Sequence, residues 1–151
     1  MIRIVLALSA ASLTLAGCQQ SGAEAGGQAT SSASDRSTEP YAGVNEGETI
    51  RFTGTEPFWG GEVTGDELRY TTPENQEGAV IAVERFAGNN GVAYSGVLNG
   101  SAFDMTVTPG QCSDGMSDRT FPFTVTLKIA DETRGGCAWT DRMRFTGPEN
   151  P

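Results

Sequence analysis

Residues that could do chemistry are concentrated in the stretch QCSDGMSDRTFPF, which runs from Gln111 to Phe123. Asp114 and Asp118 lie four positions apart there, with Gly115 between them. Such a carboxylate pair suits general acid–base catalysis or Ca²⁺ coordination. The run falls far short of the calcium loop D-x-[DN]-x-[DN]-G-x₅-E, however. We therefore predict no catalytic residue, no metal ion and no cofactor, with a calcium site and a hydrolase as lesser alternatives.

The composition of this loop favours a structural role. Asp and Ser side chains commonly bond nearby backbone N–H groups, and glycine permits a turn with positive φ. We expect Asp114 and Asp118 to bond the loop backbone and Arg119 to pair with a nearby aspartate. The loop is then a structural brace first and a contact surface for a partner second.

The segment GTEPFW, which contains Glu56, Phe58 and Trp59, is a second candidate contact site. Adjacent strand residues face opposite sides of a sheet, so one aromatic ring is expected in the core and the other on the surface. A bulge or bend that buries both rings is the alternative. An exposed aromatic ring would be a suitable anchor for a partner. The predicted contact surface therefore comprises Glu56, Phe58, Trp59, Asp114, Asp118 and Arg119.

The whole-chain composition excludes several classes of function. The chain contains no histidine, so Ser-His-Asp and Cys-His nucleophile systems are excluded, as are histidine-ligated zinc, copper and iron sites. The formal net charge of −9 argues against nucleic-acid binding, because phosphate contacts need clustered Lys and Arg. Carboxylate chemistry and oxygen-ligated calcium are the only reactive functions that remain.

The first residues, MIRIVLALSAASLTLAGC, combine one positive charge at Arg3, a short apolar run and small residues at the end. This combination is typical of a secretory signal peptide, and the apolar run is too short to span a bilayer comfortably. The final LAGC resembles the lipobox of bacterial lipoproteins. That resemblance implies a signal peptide at 1–17 and a lipid on Cys18. Gln19, where an aspartate would favour the inner membrane, points to the outer membrane.

The other two cysteines, Cys112 and Cys137, form an even pair in an exported protein. A disulfide is the default for such a pair. It would close a loop of about 25 residues and stabilise the fold by roughly 3 kcal/mol in the chain-entropy model.

The mature chain divides into a linker and one domain. Residues 18–42 are rich in Ser, Gly, Ala and Gln, and we expect a disordered, lipidated tether because such a segment cannot bury enough surface to offset its ordering entropy. Residues 43–151 have the composition and length of a single globular domain.

Apolar residues alternate with polar ones through most of this domain, which is typical of half-buried strands. Short segments rich in turn-forming residues separate these alternating segments. The Asn-Gly pair of LNGS suits the type I′ turn of a hairpin. The pattern predicts an all-β fold, a small antiparallel barrel or barrel-like sandwich of about eight strands. IRFTGTE at 50–56 nearly repeats as MRFTGPE at 143–149. Either these are first and last strands that pair to close the sheet, or the likeness is coincidental.

GTEPFW, CSDGMSDRTFPF and the late GGC together resemble a family of small bacterial envelope proteins, mostly described as uncharacterised membrane proteins or lipoproteins. The likeness covers 50–139, with Phe121 where that family's motif has tyrosine. The resemblance implies an envelope lipoprotein. It implies no biochemical activity, because none is established for that family. A more distant likeness, to small β-domains of the heat-shock lipoprotein type, concerns the fold alone.

These observations lead to one predicted function and two alternatives. We expect a lipoprotein that faces the periplasm from the outer membrane and acts as a non-enzymatic binding module, with an envelope protein as a possible partner. The first alternative is a carrier with an apolar site for a small ligand inside the barrel. The second is a carboxylate-based hydrolase. The expected contact with the membrane is the lipid on Cys18.

Overall fold

The structure is a computed structural model that describes residues 38–148. These residues form an all-β domain of eight antiparallel strands that close into a barrel, so the predicted fold class is confirmed in its barrel form. Residues 38–148 contain no helix long and apolar enough to cross a membrane. The predicted signal peptide, Cys18 and the tether up to residue 37 lie outside the described residues.

Each strand pairs with the next along the chain, and the last pairs with the first. The strands are β1 (Ile50–Thr55), β2 (Phe58–Thr64), β3 (Glu67–Thr72), β4 (Asn75–Ala87), β5 (Val92–Leu98), β6 (Ser101–Cys112), β7 (Phe121–Ile129) and β8 (Glu132–Thr140).

Large side chains fill the barrel interior. Period-two alternation directs every second residue inward, and burying each large apolar side chain stabilises the fold by roughly 1.5–3 kcal/mol. The large apolar residues on the inward face are buried, apart from Leu98 and Ile129, which are partly buried against the core. The largest fully buried side chains include Phe52, Phe103, Phe123, Ile50, Leu68, Ile81, Met105 and Leu127.

Charged side chains occupy two further inward positions near the ends of the barrel. Arg85 lies opposite Tyr94 and donates a hydrogen bond from Nη2 to the carbonyl of Val44, at 2.9 Å. Arg134 donates from Nη1 to the hydroxyl of Tyr70, at 2.6 Å, and forms a two-pronged ion pair with Glu132. These contacts place hydrogen-bonded polar groups where the apolar interior gives way to solvent.

The hairpin predicted at LNGS is present. Asn99 and Gly100 join β5 to β6 with φ values of 51° and 82°, as a type I′ turn requires. The outer face of β4 carries exposed apolar side chains, because Val80 is 55% exposed and Phe86 is 69% exposed.

Pairing between β1 and β8 closes the barrel, and we call this junction the seam. It consists of four residue pairs, from Ile50 opposite Thr140 to Thr53 opposite Cys137. The closing strand is therefore ETRGGCAWT and not MRFTGPE. The repeat does not mark two paired strands.

The C-terminal residues instead pack against the start of β7 and the end of β8. Thr146 exchanges two backbone hydrogen bonds of 2.9 Å with Thr120. Phe145 packs against Phe121 and Trp139, with ring centroids 5.4 Å and 5.6 Å away. This aromatic cluster joins the C-terminal residues to β7 and to the seam strand β8.

The folded domain begins slightly before the expected boundary at residue 43. The amide of Tyr41 donates a hydrogen bond to the carbonyl of Gly88, and its ring packs against the core. Val44 is 2% exposed. The last residues assigned to the tether therefore belong to the domain.

The predicted disulfide between Cys112 and Cys137 is present, with the two Cα atoms 5.6 Å apart. Cys137 lies on the seam strand β8, whereas Cys112 ends β6. The bridge therefore ties the start of the β6–β7 loop to the outside of the seam.

We predict that replacing both Cys112 and Cys137 by alanine lowers the free energy of unfolding by about 3 kcal/mol. The reason is that the unfolded chain regains the entropy of an open loop. Denaturant unfolding of the mature protein measures this change. Reducing the wild-type disulfide should give the same midpoint as the double variant. A loss below about 1 kcal/mol would show that the bridge contributes little to stability.

Candidate functional site

The two segments singled out from the sequence lie side by side on the outer wall of the barrel. The hydroxyl of Thr55, next to Glu56, donates a 3.2 Å hydrogen bond to the carbonyl of Asp114. The disulfide holds the start of the same loop against Cys137, which lies opposite Thr53 in the seam. The β1–β2 hairpin and the β6–β7 loop (residues 113–120) are thus joined along β1.

Asp114 organises the β6–β7 loop. Its carboxylate accepts hydrogen bonds from the backbone N–H of Met116, at 3.0 Å, and from the N–H and hydroxyl of Ser117, at 2.8 Å and 2.7 Å. Partial burial alone would raise the pKa of Asp114, but these hydrogen bonds, with the charge of Arg119, hold that pKa below its usual value. Asp114 acts as a loop brace, and its acceptor oxygens are already used.

Asp118 and Arg119 have different surroundings. Asp118 is exposed, and no residue of 38–148 donates a hydrogen bond to its carboxylate. Arg119 donates from Nε to the carbonyl of Pro148, at 2.8 Å, and its guanidinium lies 4.6 Å from the ring centroid of Phe145. Arg119 therefore links the loop to the C-terminal cluster on the seam.

The β1–β2 hairpin presents one aromatic ring outward and one inward. Phe58 is 53% exposed, whereas Trp59 is 4% exposed. The indole of Trp59 packs 5.8 Å from the ring of Phe52 and 6.3 Å from the ring of Tyr70. Glu56 is exposed in the turn, before a cis peptide bond to Pro57. Of the two rings, Phe58 is exposed and Trp59 belongs to the core.

A glycine opens a groove beside Phe58. Thr53, Gly60 and Thr71 lie opposite one another on β1, β2 and β3, and all three face outward. Because Gly60 has no side chain, the row contains a gap between two threonines. The resulting cavity has a volume of about 370 Å³ and is called the Gly60 groove. Its lining residues are Thr53, Gly54, Phe58, Trp59, Gly60, Thr71, Thr72, Pro73 and Gln76.

The hydroxyl groups of this groove are free to bind. Elsewhere on the wall, the hydroxyls of Thr108 and Thr124 bond each other across strands at 2.7 Å, whereas Thr106 and Thr126, also opposite each other, do not. No described residue hydrogen-bonds the hydroxyl of Thr53 or Thr71 either. The empty position of Gly60 separates those two hydroxyls and prevents a direct bond between them. The groove therefore offers two unpaired donor–acceptor groups.

No lining residue of the Gly60 groove carries a charge, although the chain as a whole has a net charge of −9. The next outward row, two residues further along the strands, is charged, but Arg51 and Glu62 in it form an ion pair of 3.7 Å. Arg69, in the same row, donates to the carbonyl of Glu77 at 2.9 Å. The groove is thus a neutral area beside a row of paired charges.

The buried indole of Trp59 lies on the inner side of the same wall and leaves one polar group unpaired. No acceptor among residues 38–148 takes a hydrogen bond from its Nε1–H. A Cβ on Gly54 would collide with this nitrogen, so the indole lies directly against a glycine that also lines the groove. Gly136 likewise leaves room for the ring, because a Cβ there would be 2.9 Å from Cζ2. An unpaired buried donor costs about 1–3 kcal/mol, so an additional acceptor would be favourable.

The chemistry available at this surface is recognition. The groove offers an exposed ring, threonine hydroxyls and the amide of Gln76, but no ionisable group that could transfer a proton. No group of three or more His, Cys, Asp or Glu in the described part of the chain could hold a metal ion. The arrangement suits binding of a neutral ligand or partner.

No protein-family model, curated protein or solved structure matches this chain. The functional assignment therefore rests on the residues and geometry of the chain itself.

Sequence reasoning identified the hairpin and the loop but missed the groove between β1 and β3. On its own, the double glycine of PFWGG indicates only an interruption of a strand. Combined with the outward threonines of TIRFTG and ELRYTT, Gly60 could have indicated a gap in the wall. That inference needs the register of three strands, which the local pattern does not supply.

We predict that Asp114→Asn lowers the free energy of unfolding at pH 7 by about 1 kcal/mol, because the charged acceptor of three hydrogen bonds is lost. Asp118→Asn is the matched control and should change it by less than about 0.5 kcal/mol. Thermal unfolding of the three proteins measures both effects. Equal losses in the two variants would contradict the assignment of Asp114 as the brace.

The difference between wild type and Asp114→Asn should depend on pH. Because the folded-state pKa of Asp114 is lowered, its carboxylate stabilises the fold fully above the unfolded-state pKa of about 3.9. That stabilisation is lost as the pH falls through the folded-state pKa. The melting temperatures should therefore converge in acid, and a constant difference down to about pH 2 would contradict this account.

Proposed function

We propose that this protein is a lipid-anchored binding module of the bacterial cell envelope, without enzymatic activity of its own. The observation that carries the proposal is the neutral Gly60 groove, with the exposed ring of Phe58 beside it. Exposed aromatic rings are typical anchors of recognition. The brace built by Asp114 and the disulfide fixes the neighbouring loop, so the contact surface is held rigid before binding.

The filled interior favours this proposal over a carrier with an internal site. Fully buried side chains such as Phe52, Phe103 and Phe123 occupy the space that an internal ligand would need. A ligand of drug-like size needs a cavity of about 300 Å³ or more. Binding on the outer wall requires no displacement of the core.

The carboxylates of the β6–β7 loop give less support to a hydrolase. Retaining and inverting glycosidases both need two carboxylates that flank the bond to be cleaved. In the β6–β7 loop, the oxygens of Asp114 are bound to Met116 and Ser117. Its pKa is lowered, whereas a general acid needs a raised one. These features favour binding without catalysis.

The proposed location rests on the N-terminal sequence. LAGC ends a segment with the composition of a signal peptide, and Cys18 is the residue that lipoprotein processing would acylate. The lipid would hold the domain at the membrane, and Gln19 favours the outer membrane. Lipidation is thus the proposed means by which the binding surface is kept in the envelope.

We predict that Cys18→Ala abolishes processing and acylation, because the thiol that receives the lipid is missing. Radiolabelled palmitate should be incorporated into wild-type protein and not into the variant. Cys112→Ala is the control, since its cysteine is used in the disulfide, and it should be labelled like the wild type. Label on the Cys18→Ala variant would contradict the assignment of the lipid site.

The proposed contact surface can be tested by comparing two exposed phenylalanines, one inside it and one outside it. Phe58→Ala should reduce recovery of envelope components on the immobilised mature protein by about fivefold or more, since an anchoring ring contributes about 1 kcal/mol or more. Phe86→Ala removes a more exposed ring from β4, outside the groove, and should leave recovery within about twofold.

Quantitative mass spectrometry of the retained material measures both effects. Thermal unfolding must show both variants folded, as expected for exposed positions. Equal recovery on Phe58→Ala and wild-type protein would contradict the proposed contact surface.

A further inference from the structure

The Gly60 groove has an arrangement that selects among classes of ligand. Thr53 and Thr71 are separated by two strand spacings, about 9–10 Å, with the gap of Gly60 between them. Phe58 lies two residues along β2 from Gly60, so its side chain stands on the same outer face at the end of that gap. The gap is thus flanked by two hydroxyl groups and bounded at one end by an aromatic ring.

We propose that this groove binds a neutral saccharide, which specifies the ligand of the binding function proposed above. A sugar ring carries hydroxyls around its edge and C–H groups on its faces. The C–H face packs against the electron-rich face of Phe58, while ring hydroxyls bond Thr53 and Thr71. The amide of Gln76 supplies both a donor and an acceptor at the rim.

Other classes of ligand fit the groove less well. An extended peptide usually binds by adding a strand to a free sheet edge, and the closed barrel has no free edge. A purely apolar molecule would leave the hydroxyls of Thr53 and Thr71 desolvated and unpaired. A charged ligand would find no opposite charge among the lining residues. A polyhydroxylated, uncharged ring satisfies all of these conditions.

N,N′-diacetylchitobiose is a suitable probe, because it is neutral and carries hydroxyls, C–H faces and amide carbonyls. The experiment uses the mature lipidated protein in a detergent without a sugar headgroup. The chain has two tryptophans, and Trp139→Phe leaves Trp59 as the only one, so its fluorescence reports on the groove. We expect saturable binding with a Kd of about 1 mM or lower.

Variants in that Trp139→Phe background test the contacts. Phe58→Ala should raise the Kd by about tenfold or more, and Thr71→Val, which keeps the shape and removes the hydroxyl, by about threefold or more. Phe86→Ala is the matched control and should leave the Kd within about twofold. Because the groove is uncharged, the Kd should change by less than about twofold between roughly 50 and 500 mM NaCl.

The absence of saturable binding by about 20 mM probe would overturn the saccharide assignment. An unchanged Kd in Phe58→Ala would overturn it as well, as would tighter, salt-sensitive binding of the cationic deacetylated disaccharide. If the disaccharide does not bind while recovery of envelope components still depends on Phe58, the proposed ligand class is wrong and the proposed binding function stands. If neither disaccharide binding nor recovery of envelope components depends on Phe58, both proposals are wrong.

Discussion

The four residue pairs of the seam between β1 and β8 are the constraint on which the rest of the structure depends. Closure satisfies the backbone groups of the first and last strands and removes the free edges of the sheet. The molecule reinforces this junction from outside. The disulfide fixes the β6–β7 loop to Cys137, and the cluster of Phe121, Trp139 and Phe145 covers β8. A loop and a C-terminal segment that are remote in the sequence thus stabilise the same seam.

Closure also determines where a ligand can bind. Eight strands enclose an interior that side chains alone can fill, and here Phe52, Phe103, Met105 and other core residues fill it. A function that depends on recognition must then use the outer wall, whose shape depends on the sizes of the outward side chains. Gly60 leaves a depression in this wall because it has no side chain, and Phe58 protrudes from it. The wall around them stays rigid because its strands belong to a closed hydrogen-bonded cylinder.

Local pattern predicted much of this fold. Alternation in TFPFTVTLKIAD and SAFDMTVTPG gave two strands and their inward residues, and Asn99–Gly100 gave a hairpin, because both signals depend only on neighbouring residues. Two features depend on distant pairing and were not predictable. One is the closing strand, since MRFTGPE has a strand-like pattern but packs outside the barrel. The other is the alignment of Thr53, Gly60 and Thr71, which exists only once three strands are in register.

The central claim is that this closed barrel binds through its outer wall and not through its interior. Methyl NMR of the ¹³C-labelled mature protein, titrated with a soluble digest of bacterial cell wall, tests this most directly. The account predicts shifts in the methyl signals of Thr53 and Thr71, with those of Met105 and Leu127 in the core unchanged. Shifts confined to Met105 and Leu127 would contradict it, because they would place the ligand inside the barrel.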